Sequence, residues 1–362
     1  MRPYAPTGIL PSMPRAFQCT ACRREQPASN HRILCDHCGG PMDLAPGPDL
    51  HVDPSVTLGE GNTPVVRLQA IAHSLGLEYL CAKLEQQNPT GSFKDRGAAL
   101  LVSALRDEGI TRVAEDSSGN AGASIAAYCA HSGIEADIFA PALAPTSKLE
   151  QIAIYGAHVK KVQGTRQAVA QACQDFCREN DIVYASHNLS PYFIEGTRTF
   201  ASEVMKQMDP PPHHILFPVG NGSLIIGTWK DYGEAPGPRL HAIQSRECPP
   251  IAAAFEGRDW SPPTVGIHTV AGGIAVDRPP RAHQVLAALT ATGGRAMAVS
   301  EEEIVVWQQR LAREEGIFVE PTSAAALAGA AALVAQGHIA PSDRVLLALT
   351  GSGLKDRIPP AP

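Results

Sequence analysis

Apolar positions recur along this chain with two alternating periods. Helical spacing, such as Leu101, Val102 and Leu105, predicts helices over 97–108, 121–132, 148–155 and 167–179. Short apolar runs bounded by turn residues predict strands over 136–140 and 158–162. A second alternating set follows: a helix near 197–208, a strand at 215–219, a helix after Gly222, a strand at 240–244, helices over 301–314 and 323–335, and a strand at 344–350. Strands separated by helices of this length read as βαβ text. The pattern therefore predicts two three-layer α/β lobes with mostly parallel sheets covered on both faces. No repeat of fixed period is visible, which argues against a solenoid.

The opening is different. Residues 17–44 hold two cysteine knuckles with little apolar text between them, and a proline- and glycine-rich stretch over 45–53 reads as a linker before the regular pattern begins near Ser55. Such a segment cannot build a core of its own. A chain of 362 residues also exceeds the ~250 to 300 at which single cores stop growing. The expected division is a cysteine segment (1–46), an N-terminal lobe (47–190) and a C-terminal lobe (191–362).

Composition narrows the partners. With 44% hydrophobic and 18% charged residues, a net charge of -6 and no block of like charge, nothing asks for a nucleic acid. The proline-rich start has no signal-type apolar run, and no stretch is long and apolar enough to span a membrane, so a soluble cytoplasmic protein is expected. Cys19, Cys22, Cys35 and Cys38 form two C-x2-C pairs twelve residues apart, a spacing suited to a closed structural zinc site, with a vestigial or redox role as the alternative. His31 and His37 read as solvated loop residues. The remaining five of the nine cysteines are scattered, which fits a reducing compartment better than a disulfide framework, and the Cys173/Cys177 and His213/His214 pairs read as structural.

Four stretches could carry chemistry. NPTGSFKDRG at 88–97 puts Lys94 at a helix start, where the helix dipole disfavours an ammonium and favours a reactive amine, although a solvated first-turn lysine is the ordinary reading. DSSGNAG at 116–122 offers hydroxyls and backbone N–H groups ahead of a helix, suited to a carboxylate or phosphate or simply to capping. PVGNGSLIIG at 218–227 follows a strand and precedes a helix, so Gly220, Asn221, Gly222 and Ser223 could cradle a phosphate or form a tight turn. LALTGSGLKD at 347–356 puts Thr350 and Ser352 at the carboxyl end of a strand, where α/β sheets bind ligands. Glu320, just before a helix, could lie near a bound cofactor, although dipole capping is the ordinary reading.

In order and wording these stretches resemble the fold type II (tryptophan synthase β-like) family of pyridoxal-phosphate enzymes and, within it, the threonine synthases. GEGNTP at 59–64 and IEGTRT at 194–199 support the likeness, which runs from about Gly59 to Asp356. The resemblance implies pyridoxal phosphate as cofactor, with Lys94 as Schiff-base residue and proton shuttle and Phe93 beside the ring. It implies Asn120 at the phenolic oxygen, Gly220 to Ser223 at the cofactor phosphate, Thr350 at the pyridine nitrogen, and Ser117, Ser118 and Gly119 on the carboxylate of a small amino acid. A homodimer is the family expectation. The chain departs from the family's wording at Phe193, where an arginine is usual, at Arg198, where a lysine is, in the glycine loop, and at Ala121, where a hydroxyl residue follows SSGN. The resemblance points to threonine synthase. The runner-up is a serine/threonine dehydratase or another β-elimination or β-replacement enzyme, and a non-catalytic cofactor-binding module comes last.

Overall fold

The computed structural model describes residues 16–356, apart from 48, 145, 234–236 and 265, together with residue 359; the proline-rich start lies outside the described residues. The chain opens with an antiparallel ribbon of β1 (Ala16–Cys19), β2 (Glu25–Pro27) and β3 (Met42–Leu44), in the order β2-β1-β3. It continues through β4 (Val65–Arg67), α1 (Gln69–Leu75), β5 (Tyr79–Lys83) and α2 (Lys94–Asp107). A strictly alternating run follows: β6 (Arg112–Glu115), α3 (Asn120–Ser132), β7 (Glu135–Pro141), α4 (Thr146–Ile154), β8 (His158–Val162), α5 (Arg166–Asn180) and β9 (Val183–Tyr184). Two helices, α6 (Pro191–Gly196) and α7 (Thr199–Gln207), lead into β10 (His214–Pro218), α8 (Ser223–Tyr232), β11 (Arg239–Ser245) and α9 (Pro250–Phe255). The last set is α10 (Ala282–Thr292), β12 (Ala296–Val299), α11 (Glu301–Glu315), α12 (Pro321–Ala335) and β13 (Arg344–Ala348).

Two further sheets organise the body. One has the order β8-β7-β6-β9 and is parallel throughout. Its side chains alternate as the pleat requires: Val113 and Ile138 join the core under α2, α3 and α4, while Ala114 and Phe139 face α5 through Val169, Cys173 and Cys177. The second sheet has the order β12-β11-β10-β13-β5-β4 and is parallel except for the β4–β5 edge. Helices α1, α11 and α12 cover one face and α7, α8 and α10 the other. Both lobes have the expected three layers.

A cut at residue 190 does not separate the two sheets. β5 pairs with β13 from Tyr79↔Arg344 to Lys83↔Ala348, so a strand from the N-terminal half completes the C-terminal sheet. The hydrophobic pattern gives no element over 65–83, because β5 is short and ends on a charged residue. That residue, Lys83, is fully buried and its Nζ donates to Thr63 O (2.9 Å) and Gln207 Oε1 (2.8 Å) while pairing with Glu203 (2.8 Å).

The ribbon borrows its core, as expected. Phe17, Cys19, Cys35 and Met42 belong to the same apolar cluster as α2 and α6, and the Phe17 ring meets Tyr192 edge-on at 5.6 Å. Arg281, 1% exposed, fastens it. Its guanidinium donates to Asp43 Oδ1 and Met42 O in the ribbon and to Asn188 O and Leu189 O in the loop before α6.

Candidate active site

Lys94 is the first residue of α2, and the loop before it is tied down from three sides. Asp95 accepts from Thr90 N, Thr90 Oγ1 and Ser124 Oγ, each at 2.6 Å. Phe93 N donates to Thr350 O (3.0 Å), and Ser352 N donates to Gly91 O (3.0 Å), stitching the lysine loop to the chain that leaves β13. The Lys94 amine lies 4.6 Å from the Phe93 ring centre and 5.6 Å from that of Phe193. Burial lowers it to about 8; the carboxyls of Glu115 and Glu320 oppose that shift and Arg166 adds to it. Desolvation, rather than the helix end alone, makes this amine reactive.

Every residue the sequence nominated for cofactor or substrate lines one cleft of about 410 Å³ between the lobes, at the carboxyl ends of β6, β10 and β13. Phe93 and Lys94 face Gly220, Asn221, Gly222 and Ser223 across it. Gly222 has φ +85°, and a Cβ there would lie 2.3 Å from the Val285 side chain, so the loop before α8 admits glycine alone. Ile226 is the first residue of α8 whose N–H reaches back to the chain, at Gly222 O (3.0 Å), which leaves the earlier N–H groups for a ligand. Thr350 Oγ1 lies 3.0 Å from Ser323 Oγ, both buried, whereas Ser352 Oγ accepts from Leu354 N and serves its turn. Ser117, Ser118 and Gly119 form the crossing from β6 to α3. A Cβ on Gly122 would sit 1.9 Å from Ser117 O, so the crossing is pressed against its helix.

Glu320 departs from the capping expectation. It stands at the N-cap of α12 but its side chain caps nothing. Instead it is 2% exposed and accepts from Asn120 Nδ2 (3.1 and 3.2 Å), and burial raises its pKa. The cleft also contains residues that sequence reasoning did not nominate. His187, at its wall, pairs through Nδ1 with the fully buried Glu115, and its Nε2 is 3.5 Å from Asn221 Nδ2. Burial disfavours the charged form of each partner, pushing Glu115 well up and His187 well down. Asp116 accepts from the Tyr184 hydroxyl (2.6 Å). The one signal available was the acidic pair Glu115–Asp116 directly before SSGN; His187 and Arg166 sit in text with no motif. Phe193 is fully buried, its ring 6.0 Å from that of His187.

These residues fit pyridoxal phosphate. Ser223 Oγ and Asn120 Oδ1 are buried without a partner among the described residues, the open turn of α8 suits a phosphate ester, and the lysine amine stands free in the same cleft. At the far end of the chain, Cys19 Sγ is 3.5 Å from Cys38 Sγ and Cys22 Sγ is 3.6 Å from Cys35 Sγ, with all four sulfurs within 4.8 Å of one another. That grouping is compatible with a tetrahedral zinc ion. Among the described residues no helix is long and apolar enough to cross a membrane.

Known proteins bear on the cleft directly. Residues 56–351 match the family described as pyridoxal-phosphate dependent enzyme. Threonine synthase of Methanocaldococcus jannaschii is 37% identical over 311 residues, covering 83% of this chain and 76% of that protein. Threonine synthase of Bacillus sp. strain ULM1 is 36% identical over 310 residues, covering 84% and 86%. Among solved structures, that of maize serine racemase aligns with a TM-score of 0.71 at 26% identity, covering 81% of this chain and 88% of that one. With its lysine, glycine loop and fold all inside the matched region, this chain belongs to the family of pyridoxal-phosphate-dependent enzymes.

Proposed function

We propose that the chain is a threonine synthase, a lyase that converts O-phosphohomoserine and water to threonine and phosphate. The observation that carries this reading is the Lys94 amine, lowered to about 8, facing the open glycine turn of α8 across one cleft, in a chain similar to threonine synthases over most of its length. When bound, pyridoxal phosphate supplies an electron sink for the carbon next to the substrate amine. In this reading Lys94 anchors the cofactor, Phe93 flanks its ring, and the turn from Gly220 to Ser223 takes its phosphate. Asn120, held by Glu320, faces the phenolic oxygen. Thr350 offers the ring nitrogen a neutral hydroxyl, which does not hold that nitrogen protonated and so disfavours transamination. Ser117, Ser118 and Gly119 grip the substrate carboxylate. Lys94 Nζ, with a pKa near neutrality, takes up and returns protons without a large mismatch in either direction. The four ribbon cysteines hold a structural zinc ion.

One observation favours a second reading, a serine/threonine dehydratase. Phe193 is apolar and buried beside Lys94, where the threonine synthase pattern has an arginine, so that position offers no cation to a phosphate. The test is to add O-phosphohomoserine, L-serine and L-threonine separately to the cofactor-loaded protein. Phosphate and threonine released from O-phosphohomoserine support the first reading; oxo acid and ammonia from serine or threonine support the second.

A further inference from the structure

Three cationic side chains line the cleft among the described residues: Lys94, Lys148 and Arg166. Lys94 is the cofactor's anchor in the reading above. Lys148 is already committed, its Nζ 2.8 Å from Asp356 Oδ2. The guanidinium of Arg166 makes no hydrogen bond or ion pair with any described residue.

Its placement is set by the helix it opens. Thr165 caps α5 by accepting from Ala168 N (3.2 Å), so Arg166 is the first helical residue. The next residue, Gln167, donates through Nε2 to Asp277 Oδ2 (3.3 Å) on the other lobe, which puts this end of α5 at the mouth between the lobes. The charge of Arg166 reaches inward as well: it adds to the burial that disfavours the charged forms of the Lys94 amine and the His187 imidazole. Behind Lys94 the buried Phe193 ring lies 5.6 Å from the amine, and His187 at the cleft wall is turned through Nδ1 onto the buried Glu115. An anion on the substrate side chain therefore meets one unspent positive charge.

We propose that Arg166 is a specificity-determining residue that receives the anionic leaving group of the substrate side chain, in the role that an apolar residue at 193 cannot fill. This rests on the O-phosphohomoserine reading. In that reaction the Cγ–O bond breaks with its electron pair going to the ester oxygen. Water supplies the hydroxyl added at Cβ, its remaining proton goes to the departing phosphate, and the proton lost from Cβ ends on Cγ. A guanidinium can meet the growing charge on phosphate oxygens through two parallel N–H donors, which a lysine cannot reproduce.

The test uses cofactor-loaded protein, in which the cofactor's own phosphate occupies the α8 turn. Inorganic phosphate is titrated against wild type, Arg166→Gln, Arg166→Lys and Gln167→Ala, with binding followed through the visible absorbance of the cofactor, and kcat/KM for O-phosphohomoserine is measured alongside. The expected result is phosphate affinity at least tenfold weaker in Arg166→Gln, partly restored in Arg166→Lys and unchanged in Gln167→Ala. A fall in kcat/KM on the order of 100-fold in Arg166→Gln accompanies it. Equal phosphate affinity and equal turnover in wild type and Arg166→Gln, or wild type that binds no phosphate, overturns the inference and leaves the threonine synthase reading standing. Wild type that releases no phosphate from O-phosphohomoserine yet binds phosphate through Arg166 overturns that reading instead and supports an anion site.

Discussion

Holding the Lys94 amine inside protein shifts its pKa from 10.5 to about 8, which corresponds to about 3 kcal/mol against the charged form. The folded value lies below the unfolded one, so at pH 7 both states are protonated and the folded state bears the full penalty. Stability of the cofactor-free protein then rises as pH climbs from about 8 to 10.5, because the unfolded chain binds more protons across that window. Lys94→Met should therefore make the cofactor-free protein more stable at pH 7, by about 1 to 3 kcal/mol in urea unfolding, with the gain shrinking towards pH 10.5, while abolishing activity. Gly222 has the opposite character. Its positive φ and the 2.3 Å approach of Val285 mean that Gly222→Ala should lower stability by about 1 to 3 kcal/mol. Because the same turn faces the cofactor phosphate, cofactor affinity measured by equilibrium dialysis should fall at least tenfold.

At the scale of elements the ribbon is the informative piece. It has too few apolar residues to fold around, and it leans on α2 and α6 for a core and on its four thiols for local closure. Metal analysis of the purified protein should find one zinc ion per chain, lost in a Cys22→Ser/Cys38→Ser double variant. The consequence should extend beyond the ribbon. Arg281 joins Asp43 and Met42 to the carbonyls of Asn188 and Leu189, directly after His187 of the cleft. Arg281→Ala should thus reduce kcat several-fold as well as stability, whereas a ribbon that is only an appendage would leave kcat unchanged.

For the whole molecule, the link between the halves is a buried ion network. Arg96 on α2 meets Glu85 after β5 and Glu203 on α7, with nitrogen–oxygen distances of 2.7 Å to each, and Lys83 joins Glu203 from the large sheet. Removing the guanidinium leaves the fully buried Glu85 without its cation and Glu203 with Lys83 alone, so Arg96→Met should cost about 3 to 5 kcal/mol by denaturant unfolding. Although burial opposes it, bonding to Arg96 and Lys83 depresses Glu203 from 4.5 to about 2. Its contribution is present above pH 4.5 and lost as pH falls from there towards 2, and Glu203→Gln should flatten that part of the acid-unfolding curve. Much of this protein is legible from the chain alone. The two α/β lobes, most of their helices, Lys94, the glycine turn and the cysteine pairs follow from local periodicity and from motifs whose residues are neighbours in sequence. Tertiary structure alone decided that β4 and β5 cross into the C-terminal sheet, because strand pairing is settled by hydrogen bonds between segments more than 250 residues apart, as at Tyr79↔Arg344. It likewise decided that Glu320 meets Asn120 rather than capping α12, that His187 and Arg166 share the cleft with Lys94, and that Glu115 backs His187 from behind it. Those residues come from separate segments of the chain, and burial and charge act between them only once the fold has brought them together.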